Sequence, residues 1–406
     1  MARNPKHFKL FARRSRQGSG IRSYSSSALQ LLKKGLGDSA MNKSELDTPY
    51  VLIDLDVVDR NIARMQDIAD RAGVSLRPHV KTHKLPVLAH KQLEAGAAGV
   101  TVAKLGEAEV MAAGGVRDIL IAFPIVGKQK LDRLIRLAKH VNVTIAVDSF
   151  AAAEAISDAA LEANMTIGVL VEFDCGFRRI GLETGEQVLE LAMQLVQLPG
   201  IEIRGIMTFG GQAYQAADES ELLRIGREEG QAAVDTAQLL VDAGIAADIV
   251  SAGSSPGSQY TAFVPGVTEI QPGTYIFGDL MQVALGAQSL EDCALTVKVT
   301  VVSRPEPGRA VIDAGTKVFT SDGAASPIGT GKGYVVGHPG IKLAWMSEEH
   351  GVLELDDDER ALAIGDTLEI VPVHCCGVMN MVDEVAAVRG EEIEAFWEVQ
   401  GRGKSR

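Results

Sequence analysis

From residue 50 onward the chain alternates, eight times over, between a short β-branched run and a helical pattern. The runs are VSLRPHV, GVTVAK, DILIAF, VNVTIAVD, TIGVLVEF, IRGIMTF, ADIVSAG and VTEIQPG. Between them lie segments such as LGEAEVMAAGG, KQKLDRLIRLAKH and GEQVLELAMQLVQLPG, whose apolar residues recur every three or four positions. Strands buried on both faces read as near-continuous apolar runs, and a helix between consecutive strands makes each connection a parallel crossover. Eight such units predict an α/β fold, a closed (β/α)8 barrel of the TIM type. A doubly wound open sheet is the alternative. No G-x-G-x-x-G opens the first crossover, which counts against its dinucleotide-binding version.

Past about residue 290 the helical patterns stop. ALTVKVTVVSR, RAVIDAG, GYVVGH, IKLAWM, DTLEIVPVH and EVAAVRG are strand-like pieces separated by Gly, Pro and Asp turns, which predicts a C-terminal antiparallel β domain. The expected division is residues 41–288 for the barrel and 289–406 for the β domain. TPYVLIDLDVV, ahead of the first barrel helix, is strand-like and could join either. Residues 1–40 form a basic, Ser/Arg-rich leader: the first 37 residues hold nine Lys/Arg and no Asp or Glu. Such a composition fits an organellar transit peptide, and an upstream start ahead of Met41 is the other reading. Neither makes the leader part of the fold.

Without those 37 residues the body carries 31 basic against 53 acidic side chains, which argues against nucleic acid as the main partner. No apolar run approaches the roughly 20 residues that span a bilayer, so no membrane partner is expected. The four cysteines, Cys175, Cys293, Cys375 and Cys376, show no C-x-x-C pairing. Reduced thiols in the cytoplasm are expected, or in the mitochondrial matrix if the leader is a transit peptide.

In a parallel barrel, chemistry collects where the strands run out. Lys81 follows the first strand, Lys104 the second and Asp148 the fourth. DCGFRRIG (174–181) follows the fifth, GGQAY (210–214) the sixth, AGSSPGS (252–258) the seventh and QPGTY (271–275) the eighth. RPHVKTHK (77–84) alone gathers two of the chain's eight histidines and two lysines. Taken singly it would read as a solvated basic turn, but the convergence on one rim makes that improbable. AGSSPGS offers backbone N–H groups and the hydroxyls of Ser254 and Ser255 where these barrels commonly hold phosphate. A phosphate cup facing a lysine suits a phosphorylated aldehyde held as an imine, and pyridoxal phosphate is such a molecule.

TPYVLIDLDVVDRNIARM, LRPHVKTHK, GVTVAKLGEAEVMAAGGVRDILIAFP, DCGFRRIG, SAGSSPGS, QPGTYIFGD, SEEHGVLEL and HCCGVMN together resemble the D-threonine aldolase and D-serine dehydratase-like family. That family is the metal-assisted branch of the alanine-racemase-type, fold type III, pyridoxal-phosphate enzymes. The resemblance runs from about residue 47 to the end. It implies that Lys81, rather than Lys84 or Lys104, is the Schiff-base lysine. It implies that Arg179 contacts the cofactor's phenolic oxygen, that Tyr214 lies beside the cofactor, and that Gly253, Ser254, Ser255, Gly273 and Tyr275 surround the phosphate. Gln212 and Gln271 depart from the histidine and arginine of many relatives, a difference that bears on substrate contacts.

HCCG places His374 and Cys376 two residues apart, on one face if the strand is extended, with Cys375 turned away. Imidazole and thiolate suit a divalent metal, Zn2+ or Mn2+, and the family carries a His-x-Cys or His-x-Asp metal pair at this place. His79 and His83 could both follow Lys81 on the inward face and serve proton transfer, or be structural. Asp313, Asp322 and His350 are further polar candidates in the β domain. The implied activity is that of a lyase on D-3-hydroxy amino acids in a homodimer. A D-threonine aldolase giving glycine and an aldehyde comes first, and a D-serine or D-3-hydroxyaspartate dehydratase giving a 2-keto acid and ammonia second. A non-catalytic cofactor carrier would lack the β domain. A racemase would need a tyrosine opposite the lysine, and Tyr334 is the only one after Tyr275.

Overall fold

The computed structural model describes residues 41–183, 185–321, 329, 331–359 and 361–406. The leader and Asp322 lie outside the described residues. Strand β1 (Tyr50–Asp54) leads into the helix Leu55–Ala72. Asp54 starts that helix by accepting the N–H groups of Asp56 and Val57 at 2.9 and 3.1 Å, and Gly73 stops it at φ 71°. Leu55, Val58, Ile62, Met65 and Ala69, three or four apart, form its buried stripe.

Eight parallel strands follow: β2 (Ser75–Leu76), β3 (Val100–Val102), β4 (Asp118–Ile121), β5 (Asn142–Val147), β6 (Ile167–Glu172), β7 (Ile201–Met207), β8 (Ile249–Ala252) and β9 (Glu269–Ile270). They pair in the order β2-β9-β8-β7-β6-β5-β4-β3, and a parallel bridge between His79 and Thr101 joins the two ends. The ring is therefore closed, as the eight-fold alternation predicts, and the open sheet is excluded. Side chains alternate across it. Ile119, Ile121, Val143, Ile145, Val147, Val169 and Val171 pack outward with the helices, while Leu120, Ala146, Leu170 and Met207 form a separate cluster inside. Glu172, two residues beyond Leu170, shares the inward parity at the rim.

The second sheet comprises β1 with β10 (Leu295–Glu306), β11 (Arg309–Ile312), β12 (Gly333–Val335), β13 (Ile341–Met346), β14 (Gly351–Leu355), β15 (Thr367–Pro372), β16 (Glu384–Arg389) and β17 (Glu392–Glu398). Its order is β11-β14-β13-β12-β15-β10-β1-β16-β17, and β10 also pairs with β11 to close a ring. The expected boundary needs correction here. β1 pairs antiparallel with β10 (Tyr50 opposite Lys298) and parallel with β16 (Leu52 opposite Ala386), so residues 50–54 belong to the β domain and not to the barrel. Lys298 also donates to the carbonyls of Lys43, Ser44 and Leu46 at 2.8 to 3.1 Å, tying down the segment before β1.

Candidate active site

At the C-terminal ends of the barrel strands lies a cavity of about 230 Å3, lined by His79, Lys81, Lys104, Phe123, Glu172, Arg179, Phe209 and Gln271 among others. A larger groove, about 620 Å3, runs outside the barrel beside Arg227, Gln231 and Phe263. It is open, and its charged residues, Arg227 and Glu228, are exposed. The smaller cavity is where nitrogen bases and carboxylates meet.

His79 is still in register with β3, and the chain then turns, the Lys84 N–H bonding the Val80 carbonyl at 2.8 Å. Lys81 therefore ends at the rim. Burial lowers its pKa, and its Nζ sits 5.5 Å from the centre of the Phe209 ring, which Arg179 also covers at 4.6 Å. Lys84 does not compete. It is buried and paired with Glu107 at 2.8 Å. Lys104 does reach the cavity, its Nζ 3.1 Å from the centre of the Phe123 ring.

The histidines flanking Lys81 have different surroundings. Burial, with Lys81 and Arg179 nearby, holds the His79 imidazole well below its usual range, and its Nδ1 is buried without a partner. His83 corrects the expectation that it follows on the inward face. The turn carries it off the cavity wall, its Nδ1 accepts the Leu85 N–H at 3.0 Å, and its Nε2 bonds Gln92 Oε1 at 3.2 Å. Those bonds place the proton on Nε2, and burial lowers its pKa to about 4. Gln92 in turn donates to the Tyr275 hydroxyl at 2.9 Å, so Tyr275 is held in the same buried chain.

The glycine–serine loop after β8 has one hydroxyl to spare. Ser254 Oγ is fully buried and has no partner. Ser255 Oγ accepts the N–H groups of Gly273 and Thr274 at 2.9 and 2.8 Å, and the Tyr214 hydroxyl bonds Ser255 and Thr274. A Cβ on Gly273 would lie 2.9 Å from both the His79 carbonyl and Thr82 Oγ1, so only glycine lets these turns meet. An orphaned hydroxyl in a loop that bonds the Gly273 turn, itself packed against His79 and Thr82 on either side of Lys81, fits a phosphorylated aldehyde.

The HCCG stretch is not extended. β15 ends at Pro372, His374 is the last extended residue, and Cys375–Met381 is a short helix. His374 and Cys376 still meet, side chain to side chain, across the helix start. His374 Nδ1 bonds Asp279 Oδ2 at 2.8 Å, which sets the ring and leaves the other nitrogen toward Cys376. Burial alone would lower the His374 imidazole, but Cys376 and Asp279 outweigh it and push it up to about 11. The Cys376 thiol is held well below its usual range by a hydrogen bond from Cys375 and, against burial, by His374. An imidazole and a thiolate sharing a proton are a donor set for a divalent cation, and two protein donors leave other positions open. Among the described residues no third His, Cys, Asp or Glu completes a cluster. Cys376 Sγ also lies 3.4 Å from Thr82 Oγ1 and 3.9 Å from Thr274 Oγ1. Cys375 is fully buried in the core. Asp313 is occupied by Thr48 and the Thr300 N–H, and His350 is exposed away from these groups.

Residues 53–281 match the family model for the alanine racemase N-terminal domain, and residues 294–388 that for a putative serine dehydratase domain. A D-threonine aldolase from Arthrobacter sp is 34% identical over 365 residues, 89% of this chain and 94% of that protein. The chain belongs to the D-threonine aldolase and D-serine dehydratase-like family. Two solved structures of that family superpose closely. A D-threonine aldolase from Filomicrobium marinum gives a TM-score of 0.84 at 31% identity, over 90% of this chain and 99% of that one. A D-threo-3-hydroxyaspartate dehydratase mutant in the metal-free form gives 0.83 at 32%, over 88% and 98%.

Three carboxylates at this family site escape sequence reasoning. Asp279 stands in the quoted QPGTYIFGD without a visible role, yet it is fully buried behind His374. Glu172 is 2% exposed on the cavity wall, where burial pushes its pKa up to about 7 against the pull of Arg179. Its inward parity on β6 was the available signal. Glu229, on a helix, gave none.

Proposed function

We propose that the chain is a pyridoxal-phosphate lyase, assisted by a divalent metal, that acts on D-3-hydroxy amino acids, first of all as a D-threonine aldolase. Membership in the family makes it a pyridoxal-phosphate-dependent lyase. The observation that carries the metal-assisted reading is the contact of Cys376 Sγ with Thr82, the residue after Lys81, which brings the donor pair of one domain to the lysine of the other. When bound, the cofactor supplies an electron sink and the metal a Lewis acid at the substrate hydroxyl.

The chain's own residues then have distinct tasks. Lys81 holds the cofactor through an amine that burial keeps readily deprotonated. The loops that carry Ser254, Ser255 and Gly273 take the phosphate, with Gly253 shaping the first of them and Tyr214 beside them, and Arg179 over Phe209 meets the phenolic oxygen. His374 and Cys376 hold the metal, and thiolate softness favours zinc over manganese. His79, neutral and with Nδ1 unengaged, accepts the proton of the substrate hydroxyl as the Cα–Cβ bond breaks, and Lys81 returns a proton to Cα. Glycine and acetaldehyde result from D-threonine.

The second reading, dehydration to a 2-keto acid and ammonia, is favoured by the same lowered pKa of Lys81, which suits the amine to removing the Cα proton instead. No helix among the described residues is long and apolar enough to cross a membrane, and all four cysteines are free, as a reducing cytoplasmic setting would keep them. Incubation with D-threonine and D-serine tests the assignment. Acetaldehyde and glycine mark the aldolase, 2-oxobutyrate or pyruvate with ammonia marks the dehydratase, and the absence of both sets sinks the reading.

A further inference from the structure

Glu229 has no part in the steps above, yet it is buried in the middle of the helix Glu219–Asp242, 1% exposed. Its Oε1 accepts two backbone N–H groups, from Gly210 at 2.7 Å and Gly253 at 2.8 Å. Its Oε2 takes the Thr261 hydroxyl at 3.4 Å. Gly210 begins the loop after β7 that carries Tyr214, and Gly253 begins the loop after β8 that carries Ser254 and Ser255. One carboxylate therefore ties together the loop that carries Tyr214 and the loop that carries Ser254 and Ser255.

The approach is close enough to dictate sequence. A Cβ on Gly210 would lie 2.3 Å from Glu229 Oε2, and Gly253 holds φ +94°. Burial pushes the Glu229 carboxyl up to about 7 despite these bonds, so the group sits in the protein at a cost. Its bonds also decide which donors remain. The Gly253 N–H points back to the carboxylate and is spent there. What the loop has left is the Ser254 hydroxyl, buried without a partner, since Ser255 Oγ already accepts the Gly273 and Thr274 N–H groups and bonds Tyr214.

We propose that Glu229 is a positioning residue for the cofactor phosphate: it fixes the loop after β8 so that the Ser254 hydroxyl, rather than the Gly253 N–H, is left for the phosphate. The inference rests on the reading of this cavity as the pyridoxal-phosphate site. A glutamine at 229 keeps the shape but loses the charge that strengthens both backbone bonds, and its amide must present a donor where the carboxylate presents only acceptors.

The experiment compares the affinities of the apoprotein for pyridoxal phosphate and for pyridoxal, which lacks the phosphate. Wild type, Glu229→Gln and Gly210→Ala are each followed by absorbance titration and thermal melting. The positioning role predicts that Glu229→Gln weakens pyridoxal phosphate about tenfold, the loss of one or two charge-assisted bonds, while pyridoxal changes less than about twofold. Gly210→Ala keeps Glu229 but displaces its carboxylate, and should shift the same ratio even if Glu229→Gln fails to fold. A wild-type ratio in both variants overturns the inference, as does an equal loss of both ligands with a lowered melting temperature. A wild-type protein that binds neither ligand, or both equally, overturns the cofactor-site reading itself.

Discussion

Lys81 is the side chain on which most depends. Borohydride reduction of the cofactor-loaded protein, followed by peptide mapping, should leave the label on Lys81, and Lys81→Ala should abolish turnover in a folded protein. A label on Lys104, the other lysine at the cavity, would overturn the assignment; Lys84 is already held by Glu107. His83 has a different consequence. Its imidazole titrates near 6.5 when unfolded but only at about 4 in the buried chain with Gln92, so between those values the unfolded state binds more protons. Stability should therefore fall as pH drops from about 6.5 to 4, by up to about 1.4 kcal/mol per unit from this one group. His83→Gln should flatten that slope, as measured by urea unfolding across the range; an unchanged slope refutes it. Lysines and histidines at strand ends were legible because the barrel's rim is a periodic feature of the sequence. That His83 leaves the wall, by contrast, depends on a turn at Val80 and a partner nine residues on. Buried carboxylates such as Glu229 were illegible for another reason: a Glu in an amphipathic helix ordinarily faces water, and only loops from elsewhere in the chain reveal its donors.

The strand-to-helix junction at His374 decides how the two cysteines divide. Helix geometry turns Cys375 into the core beside Val378 and Met379, where its N–H also bonds Asp279 Oδ2 at 3.2 Å, and leaves Cys376 toward Thr82. Cys375→Ser should cost about 1–3 kcal/mol of stability, because a hydroxyl is buried where a thiol packed, yet keep its metal. Cys376→Ser should melt close to wild type but lose most of its bound zinc. Metal content and melting temperature, measured on both variants, separate these outcomes; equal metal loss in the two would rule out the division. Asp279→Asn should weaken metal binding by about 10–100-fold, since it removes the carboxylate that sets the His374 ring. The pairing of His374 with Cys376 was legible from spacing, but its stated basis, one face of an extended strand, was not what the chain does. A helix begins at Cys375, where the β-rich neighbourhood suggested that the strand would continue.

The proposed site draws on two domains, with the lysine on the barrel and the His374–Cys376 pair on the β domain, joined where Cys376 Sγ meets Thr82. The eight-fold alternation made the barrel legible, since each strand's partners there are its neighbours in sequence or the closure between first and last. β1 broke that logic. Its partners, β10 and β16, lie more than two hundred residues further along, and nothing local in TPYVLIDLDVV names them. Yet β1 is a central strand of the second sheet, with Val51, Leu52 and Ile53 at most 1% exposed, and it continues directly into the first barrel helix. It is therefore a covalent hinge point of the whole molecule. A chain beginning at Leu55 would keep every barrel strand but lose roughly 1.5–3 kcal/mol for each of those three side chains, together with two ladders of backbone bonds. Against a total stability of about 5–15 kcal/mol, that loss should unfold the β domain and with it the His374–Cys376 pair. A chain beginning at Met41 keeps the strand and the three carbonyls held by Lys298, and should retain cofactor absorbance, bound metal and activity together. If the chain from Leu55 instead binds metal and melts like the longer one, β1 is dispensable and the second domain closes without it.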